Sequence, residues 1–365
     1  MLDRARILAV NPGGMTTRIA VYVGEERAFE ATIEHPREEI DALCPPSAPL
    51  QYACQLDYRK DAIERALEES GQTSEPFDAI VGRGGLLRSI PSGTYDVSEQ
   101  LLADARVGYQ GQHASNLGAL LADALVKDLG GRAFIVDPVS VDEFDTLARY
   151  SGHKDIARKS LGHALNTKAT ARKAAKLLGR PLNDVNLIIA HLGSGISITP
   201  MKEGRMVDVN NAASGGPFSP ERAGGLPLIE MLDYMKREGV PIERMQRIIL
   251  RESGLTSYVG TNDFRSVADR AMSGDSNARE VVEAMTYQIA KEIAAMASVL
   301  KGSVDAVVYT GSMAHSDYLI ELVDERVSFI ADKMVLPGEN ELESLASGAL
   351  EVLAGREEAR EYPTG

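Results

Sequence analysis

The chain has 365 residues, 44% of them hydrophobic, with no Trp and only 5% aromatic side chains, so its cores are aliphatic and its length suits two or three domains. A formal charge of −14 and the lack of any basic run exclude a nucleic-acid footprint, though a few local Arg residues leave a nucleotide ligand open. No apolar run approaches the roughly 20 residues that span a bilayer; the apolar stretch 7–10 is too short for a signal core; and Cys44 and Cys54 have neither metal-ligand nor disulfide-framework spacing, which together point to a soluble cytoplasmic protein with no membrane partner.

In chain order, residues 7–10 read as a strand, followed by an Asn-Pro-Gly-Gly turn, a second strand over 19–23, a turn at 24–27 and a third strand over 28–33. Residues 60–69 are helical, with Ile63 and Leu67 on one face. A short buried strand follows over 79–81. Leu117, Leu120, Leu121, Ala124 and Leu125 mark a helix stopped by Gly130 and Gly131, and a strand over 133–136 ends at Asp137-Pro138. From Asn186 the order restarts: strands over 187–190, 196–199 and 206–209, a helix carrying Met285, Ile289, Ile293, Met296 and Leu300 on one face, and a strand over 304–308. That last strand, VDAVV, parallels FDAIV at 77–81. A helix near 317–329 and a strand near 334–336 close the unit. Both halves read β-β-β-α-β-α-β-α, with larger insertions in the second. The duplication predicts two similar α/β domains facing each other across a cleft; one large sheet is the alternative that element order leaves open.

No Gly-x-x-x-x-Gly-Lys-Ser/Thr run exists, and no Gly-x-Gly-x-x-Gly opens a helix after a strand. Glycine turns instead stand at strand ends: Gly13-Gly14, Gly84-Gly85, Gly193-Ser194-Gly195, Gly215-Gly216 and Thr310-Gly311-Ser312. Glycine lets backbone amides approach an anion closely. Each turn alone is equally an ordinary hairpin; their matched places in two repeats argue for anion binding. Thr16, Thr17 and Arg18 set two hydroxyls and a guanidinium beside the first turn, although Thr also favours strands for its own sake.

The runs NPGGMTTRIAVY, VGRGGLLRSIPSGTY, GQHASNLGAL, FIVDPVSVDEFDTLARYSG, RKSLGHALNTKA, AHLGSGISI, VDVNNA, GPFSPERAGGLP, YVGTNDFR, AMTYQIAKEIAAMASVLKG and PGENELESLASGALEVL resemble, in order and over nearly the whole chain, the butyrate kinases of the acetate kinase family, in the acetate/sugar kinase and actin superfamily. The resemblance implies α/β, duplicated βββαβαβα actin-like (ribonuclease H-like) domains flanking an interdomain cleft: an N-terminal domain, 1–148, joined by a C-terminal helix at about 345–365, and a nucleotide-binding domain, 149–344. It also implies a transferase (butyrate + ATP = butyryl phosphate + ADP) acting by direct in-line phosphoryl transfer with Mg²⁺, on a small carboxylic acid, as a homodimer or higher homo-oligomer.

A carboxylate acceptor is already ionised at neutral pH, so this chemistry asks for charge neutralisation and alignment rather than a base. By the resemblance, Arg83 and Arg222 are the two active-site guanidinium groups, although alone they read as a strand-end Arg and a solvated Arg in a helix N-capped by Ser219. His163 corresponds to the catalytic His that donates to the transferred phosphoryl, and Asn11 to a residue near it. His191, Gly193, Ser194 and Gly195 lie by the nucleotide phosphates, with Gly13, Thr16 and Arg18 in the opening loop. Asp263, Phe264, Arg265, Gly311 and Ser312 correspond to the nucleoside site. Asp137 is a Mg²⁺ ligand, with Glu341, or Glu339 two residues earlier, as its partner. His113 is a weaker candidate that also suits a helix cap.

Five positions depart from the family pattern: Gly14 and Met15 replace polar loop residues, Arg18 a Lys, Ser194 a Gly or Asn, and Ser312 a Gly. A Ser needing positive φ would be strained by ~1 kcal/mol or more. Two alternatives to butyrate phosphorylation follow: a non-catalytic nucleotide-binding paralogue, or a propionate or branched-chain acid kinase.

Overall fold

Paired apolar runs joined by tight turns fold back on themselves as antiparallel strands. The computed structural model of the protein describes residues 4–44, 52–213 and 215–364. The chain divides into two units, residues 1–142 with 340–365, and residues 143–339.

In the first unit, β1 (Arg6–Pro12), β2 (Thr16–Val23) and β3 (Glu26–Glu34) form an antiparallel meander. Next come α1 (Arg37–Leu43) and α2 (Leu56–Glu69), then β4 (Ala79–Arg83), β5 (Thr94–Asp96), α3 (Glu99–Val107), α4 (Asn116–Leu129) and β6 (Arg132–Val136). β4 runs parallel to β1, β6 parallel to β4, and β5 closes the edge antiparallel, giving the order β3-β2-β1-β4-β6-β5. Leu8, Val10, Ile19 and Val21 from the meander meet Ile63 and Leu67 of α2 and Leu117 and Leu121 of α4 in one aliphatic core.

In the second unit, α5 (Ala164–Leu177) precedes β7 (Asn186–Leu192), β8 (Ile196–Lys202) and β9 (Arg205–Met206). An insertion carries α6 (Leu228–Glu238), α7 (Ile242–Arg251), α8 (Leu255–Val259) and α9 (Phe264–Met272) before the long α10 (Ser276–Val299). β10 (Ala306–Thr310), α11 (Asp317–Val327) and β11 (Lys333–Val335) complete the order β11-β10-β7-β8-β9. Met285, Ile289 and Ile293 of α10 pack on Ile188, Ile198 and Val307 of this sheet. The last helix, α12 (Glu341–Leu353), belongs to the first unit and packs on β1, β4 and β6.

Strand orders β3-β2-β1-β4-β6 and β9-β8-β7-β10-β11 are the same, so the duplicated α/β fold is present and the single large sheet is not. The FDAIV and VDAVV runs fall on the equivalent strands β4 and β10. Their Asp residues do the same work: Asp78 accepts the Arg6 amide at 2.7 Å and Asp305 accepts the Asn186 amide at 2.7 Å, fixing the start of the neighbouring parallel strand.

Three expectations need correction. The strand expected over 206–209 stops at Met206, because the Asn210 side chain bonds the β8 backbone at Ile196 and Ile198 in place of a main-chain partner. No helix starts at Ser219–Pro220; Ser219 and Arg222 close a tight turn, with the Ser219 amide donating to the Arg222 carbonyl at 3.1 Å, and α6 begins only at Leu228. Cys44 and Cys54 form a disulfide, their Cα atoms 5.9 Å apart. A sequence spacing with no framework pattern missed it, because the pairing arises from α1 folding back beside the turn that leads into α2.

Candidate active site

Parallel strands in α/β folds present their carboxyl ends to ligands. In the first unit Val10, Gly82 and Ile135 stand on one rung of β1, β4 and β6. One residue further, Asn11 and Arg83 lie side by side, and Asp137 directly follows Val136, the partner of Arg83. Arg83 is held there by close contact between strand and helix: a Cβ on Gly82 would stand 2.0 Å from the Gly118 carbonyl oxygen, so only glycine lets the first turn of α4 press on β4.

Glu341, the first residue of α12, comes to the same strand ends. Its Oε1 lies 2.8 Å from Arg83 Nη1, and its Oε2 accepts from Asn11 Nδ2. Arg83 Nη1 also reaches Asn11 Oδ1 at 3.4 Å. Glu341 is 6% exposed, and a carboxylate so buried needs such partners. Asp137 holds a left-handed backbone, φ 39°, that non-glycine residues seldom adopt. Its Oδ1 accepts from Ser92 Oγ at 2.5 Å and from the Gly93 amide at 2.8 Å. Among the described residues no group of three or more His, Cys, Asp or Glu side chains is gathered around a cation position. Asp137 and Glu341 nevertheless supply the hard oxygen donors Mg²⁺ takes in ones and twos beside phosphate and water.

The opening loop closes on a bond from the Gly13 amide to the Thr16 carbonyl, 2.7 Å. Arg18 turns away to Glu30 of β3, 3.1 Å. Behind the loop lies Arg59 of α2, fully buried, a residue that sequence reasoning missed. The signal was present: Arg59 sits four and eight residues before Ile63 and Leu67, on the helix's buried stripe. His113 Nδ1 lies 2.7 Å from Ser115 Oγ and accepts from the Ser115 amide at 3.2 Å, just ahead of α4, without capping an amide of the helix itself.

In the second unit His191 pairs with Thr310 across β7 and β10, again at the carboxyl ends of parallel strands. His163, just before α5, stacks on His191 with ring centroids 3.8 Å apart and planes 14° from parallel. His163 Nδ1 lies 2.9 Å from Ser197 Oγ, and His191 Nδ1 lies 2.8 Å from Asn166 Oδ1. The Asn166 amide nitrogen donates to the Gly338 and Glu339 carbonyls at 3.3 and 2.9 Å. Carbonyls only accept, so the Asn166 oxygen faces His191, and His191 carries its proton on Nδ1. Its Nε2 then faces Glu339, 4.0 Å away. Asn166 and Ser197 are further residues that sequence reasoning missed, although they lie in the runs RKSLGHALNTKA and AHLGSGISI.

Arg222 lies against the second glycine turn. A Cβ on Gly195 would stand 2.5 Å from Arg222 Nη1, which donates to the Ala212 carbonyl at 3.0 Å. Ser219 Oγ ties this segment to the turn by donating to the Ser194 carbonyl at 2.5 Å. No carboxylate pairs with Arg222 among the described residues, and burial lowers its pKa from the usual guanidinium value. Asp263 caps α9 by accepting the Arg265 amide at 3.1 Å. Phe264, Arg265 and Met272 of α9, with Ser312, Met313 and His315, line a cavity of about 720 Å³. Ser312 does not take positive φ; the neighbouring Gly311 does, at 90°, so the strain anticipated at Ser312 is absent.

A profile described as the Acetokinase family matches residues 148–331. Butyrate kinase 1 of Clostridium acetobutylicum is 44% identical over 358 residues, 98% of this chain and 99% of that protein. A probable butyrate kinase of Listeria innocua is 43% identical over 363 residues, 98% of this chain and 99% of its own. Among solved structures, Porphyromonas gingivalis acetate kinase superposes with a TM-score of 0.78 at 17% identity, covering 96% of this chain and 100% of that one. A propionate kinase from Francisella tularensis gives 0.74 at 18% identity, covering 93% and 98%. These last two establish the fold, the α/β arrangement expected from the duplicated elements.

Proposed function

The chain belongs to the acetokinase family, and we propose that it transfers the terminal phosphoryl group of ATP to the carboxylate of a short-chain acid, butyrate with ATP giving butyryl phosphate and ADP. The observation that carries this reading is the set Asn11, Arg83 and Glu341 at the carboxyl ends of β1 and β4: a guanidinium and an amide held ready on a buried carboxylate. The acceptor carboxylate arrives ionised, so it attacks without a base. Catalysis is then alignment plus neutralisation of the charge on the migrating phosphoryl.

Arg83 and Arg222 are assigned that neutralisation, because each offers a bidentate fork suited to a carboxylate or a phosphoryl group. His163 donates to a phosphoryl oxygen, with Ser197 on its other nitrogen setting the ring. His191, Gly193, Ser194 and Gly195 receive the nucleotide phosphates, and Gly13, Thr16 and the loop amides receive the transferred group. The pairing of Arg18 with Glu30 argues for a lesser part for that side chain. Asp263, Phe264, Arg265, Gly311 and Ser312 frame the nucleoside, supported by the cavity that Phe264, Arg265 and Ser312 border. Mg²⁺ bound to the nucleotide would offset phosphate charge; Asp137 would hold it directly or through water, and Glu341 through water, its oxygens being shared with Arg83 and Asn11.

No helix among the described residues is long and apolar enough to cross a membrane. ATP as donor favours the cytoplasm. A homodimer or higher homo-oligomer is the proposed assembly, supported by Leu228, Ile229 and Ile242, which α6 and α7 leave 71%, 66% and 64% exposed.

The test incubates purified protein with ATP, Mg²⁺ and C2–C5 acids, straight and branched, and traps acyl phosphate as hydroxamate with hydroxylamine. Butyrate should give product, and Arg83→Ala or Arg222→Ala should lower the rate on the order of 10²-fold or more. No hydroxamate with any acid removes the enzyme reading, and full activity in either variant removes that residue from the site.

A further inference from the structure

We infer that Arg59 is a positioning residue of this reaction, its buried guanidinium gripping the opening loop from behind so that the Gly14 and Met15 amides face the transferred phosphoryl. The inference rests on the reading that this loop meets that group.

Arg59 is 0% exposed. Its Nη1 donates to the carbonyls of Gly13 and Thr16, both at 2.9 Å, and to Thr17 Oγ1 at 3.0 Å. Its Nη2 donates to the Gly14 carbonyl at 2.8 Å, and Nε to Gln55 Oε1 at 2.9 Å. The acceptors are neutral, and no carboxylate pairs with Arg59 among the described residues. A structural Arg in a core is ordinarily matched by an anion, because burying an uncompensated charge is costly. Here burial lowers the pKa only to about 10, so the group stays charged at neutral pH.

Two consequences follow. With the carbonyls of Gly13, Gly14 and Thr16 drawn toward the guanidinium, and that of Met15 taken by the His35 amide at 2.9 Å, the loop's acceptors are occupied. The Gly14 and Met15 amides have no hydrogen-bond partner among the described residues. Gly14 faces open space, where even an added Cβ would meet no atom within 4 Å. Adjacent free amides backed by a fixed positive charge form an anion-binding concavity. The uncompensated charge also supplies what Gly14, Met15 and Arg18 do not: a cation beside the loop where its polar side chains are missing.

The test compares the full-length protein with Arg59→Lys and Arg59→Met. Lys keeps the charge but brings three donors from one point, so it cannot span the loop acceptors. Readouts are kcat and KM in the hydroxamate assay, thermal midpoint, ADP affinity, and hydrogen exchange of the peptide spanning 12–18 with Mg–ADP or with a non-hydrolysable Mg–ATP analogue. Wild type should show slowed loop exchange with the triphosphate analogue and not with ADP. Arg59→Met should lose that protection and about 10²-fold in kcat while binding ADP within about twofold of wild type. Arg59→Lys should fall between, near tenfold. A general packing defect would weaken ADP and the analogue alike. If Arg59→Met does not fold, Arg59→Lys decides, and its matching wild type in kcat and protection overturns the inference. The same outcome in a folded Arg59→Met overturns it while leaving the loop's role intact. Absence of triphosphate-specific protection in wild type instead overturns the reading of the loop itself.

Discussion

His35 should make the protein lose stability steeply in mild acid. It follows β3, is 2% exposed, and lies with Nε2 2.8 Å from Thr17 Oγ1 in the layer that backs the opening loop. Its Nδ1 has no hydrogen-bond partner among the described residues, and the Tyr58 ring lies against it with centroids 5.4 Å apart. Burial first, and then the Arg59 charge, lower its pKa from 6.5 to about 4, against a weaker opposing pull from Glu39. The native ring therefore refuses a proton that the unfolded chain accepts. Above pH 6.5 both states are neutral and the full stability is present; as pH falls from there toward 4, stability drops at up to about 1.4 kcal/mol per pH unit. The two pKa values give a loss of about 1.4 kcal/mol at pH 5.5 and about 2.6 kcal/mol at pH 4.5. Other groups titrate in the same window, so the measured quantity is the difference between wild type and His35→Gln, which does not titrate. Urea unfolding at pH 7.5, 5.5 and 4.5 should show the wild-type free energy falling faster than the variant's by those amounts. Parallel pH dependences would refute the argument, because they would mean His35 protonates equally well in both states.

Two further outcomes are expected. Asn166→Ala removes the acceptor that fixes His191, so nitrogen-15 spectra of labelled histidine should lose the Nδ1-protonated signal of that ring and kcat should fall about tenfold; an unchanged spectrum would refute the tautomer assignment. Tyr362→Phe removes a hydroxyl that accepts from the Arg88 amide at 2.9 Å and donates to Asp104 at 3.0 Å; it should cost about 1–3 kcal/mol, seen as a lower thermal midpoint, and an unshifted midpoint would mean the C-terminal segment adds no stability.

What the sequence disclosed and what it hid differ in range. The strands were legible because alternating or continuous apolar runs between glycine turns are local signals, and the FDAIV and VDAVV echo exposed the duplication because the same Asp-to-amide bond is needed in both sheets. Asn11 and Arg83 were visible in their motifs. Their partnership with Glu341, 330 residues from Asn11, was not, since no local pattern encodes a contact made when a distant helix returns. Arg59 was overlooked because a helix begun at Lys60 hides the charge on its apolar stripe. The disulfide depends on two chain segments meeting, and the short β9 depends on one Asn side chain standing in for backbone.

The return of α12 to the first unit has a consequence for biosynthesis. Residues 143–339 form an uninterrupted unit that can fold as soon as it leaves the ribosome. The unit translated first must wait for the segment translated last, because Leu342, Leu345, Ala346 and Ala349 are buried in completing it. Until then Arg83 lacks its carboxylate and the apolar face of β1 lacks its cover. A premature stop before residue 341 would strand both at once, coupling the loss of the Arg83 partner to a sticky, chaperone-dependent nascent chain.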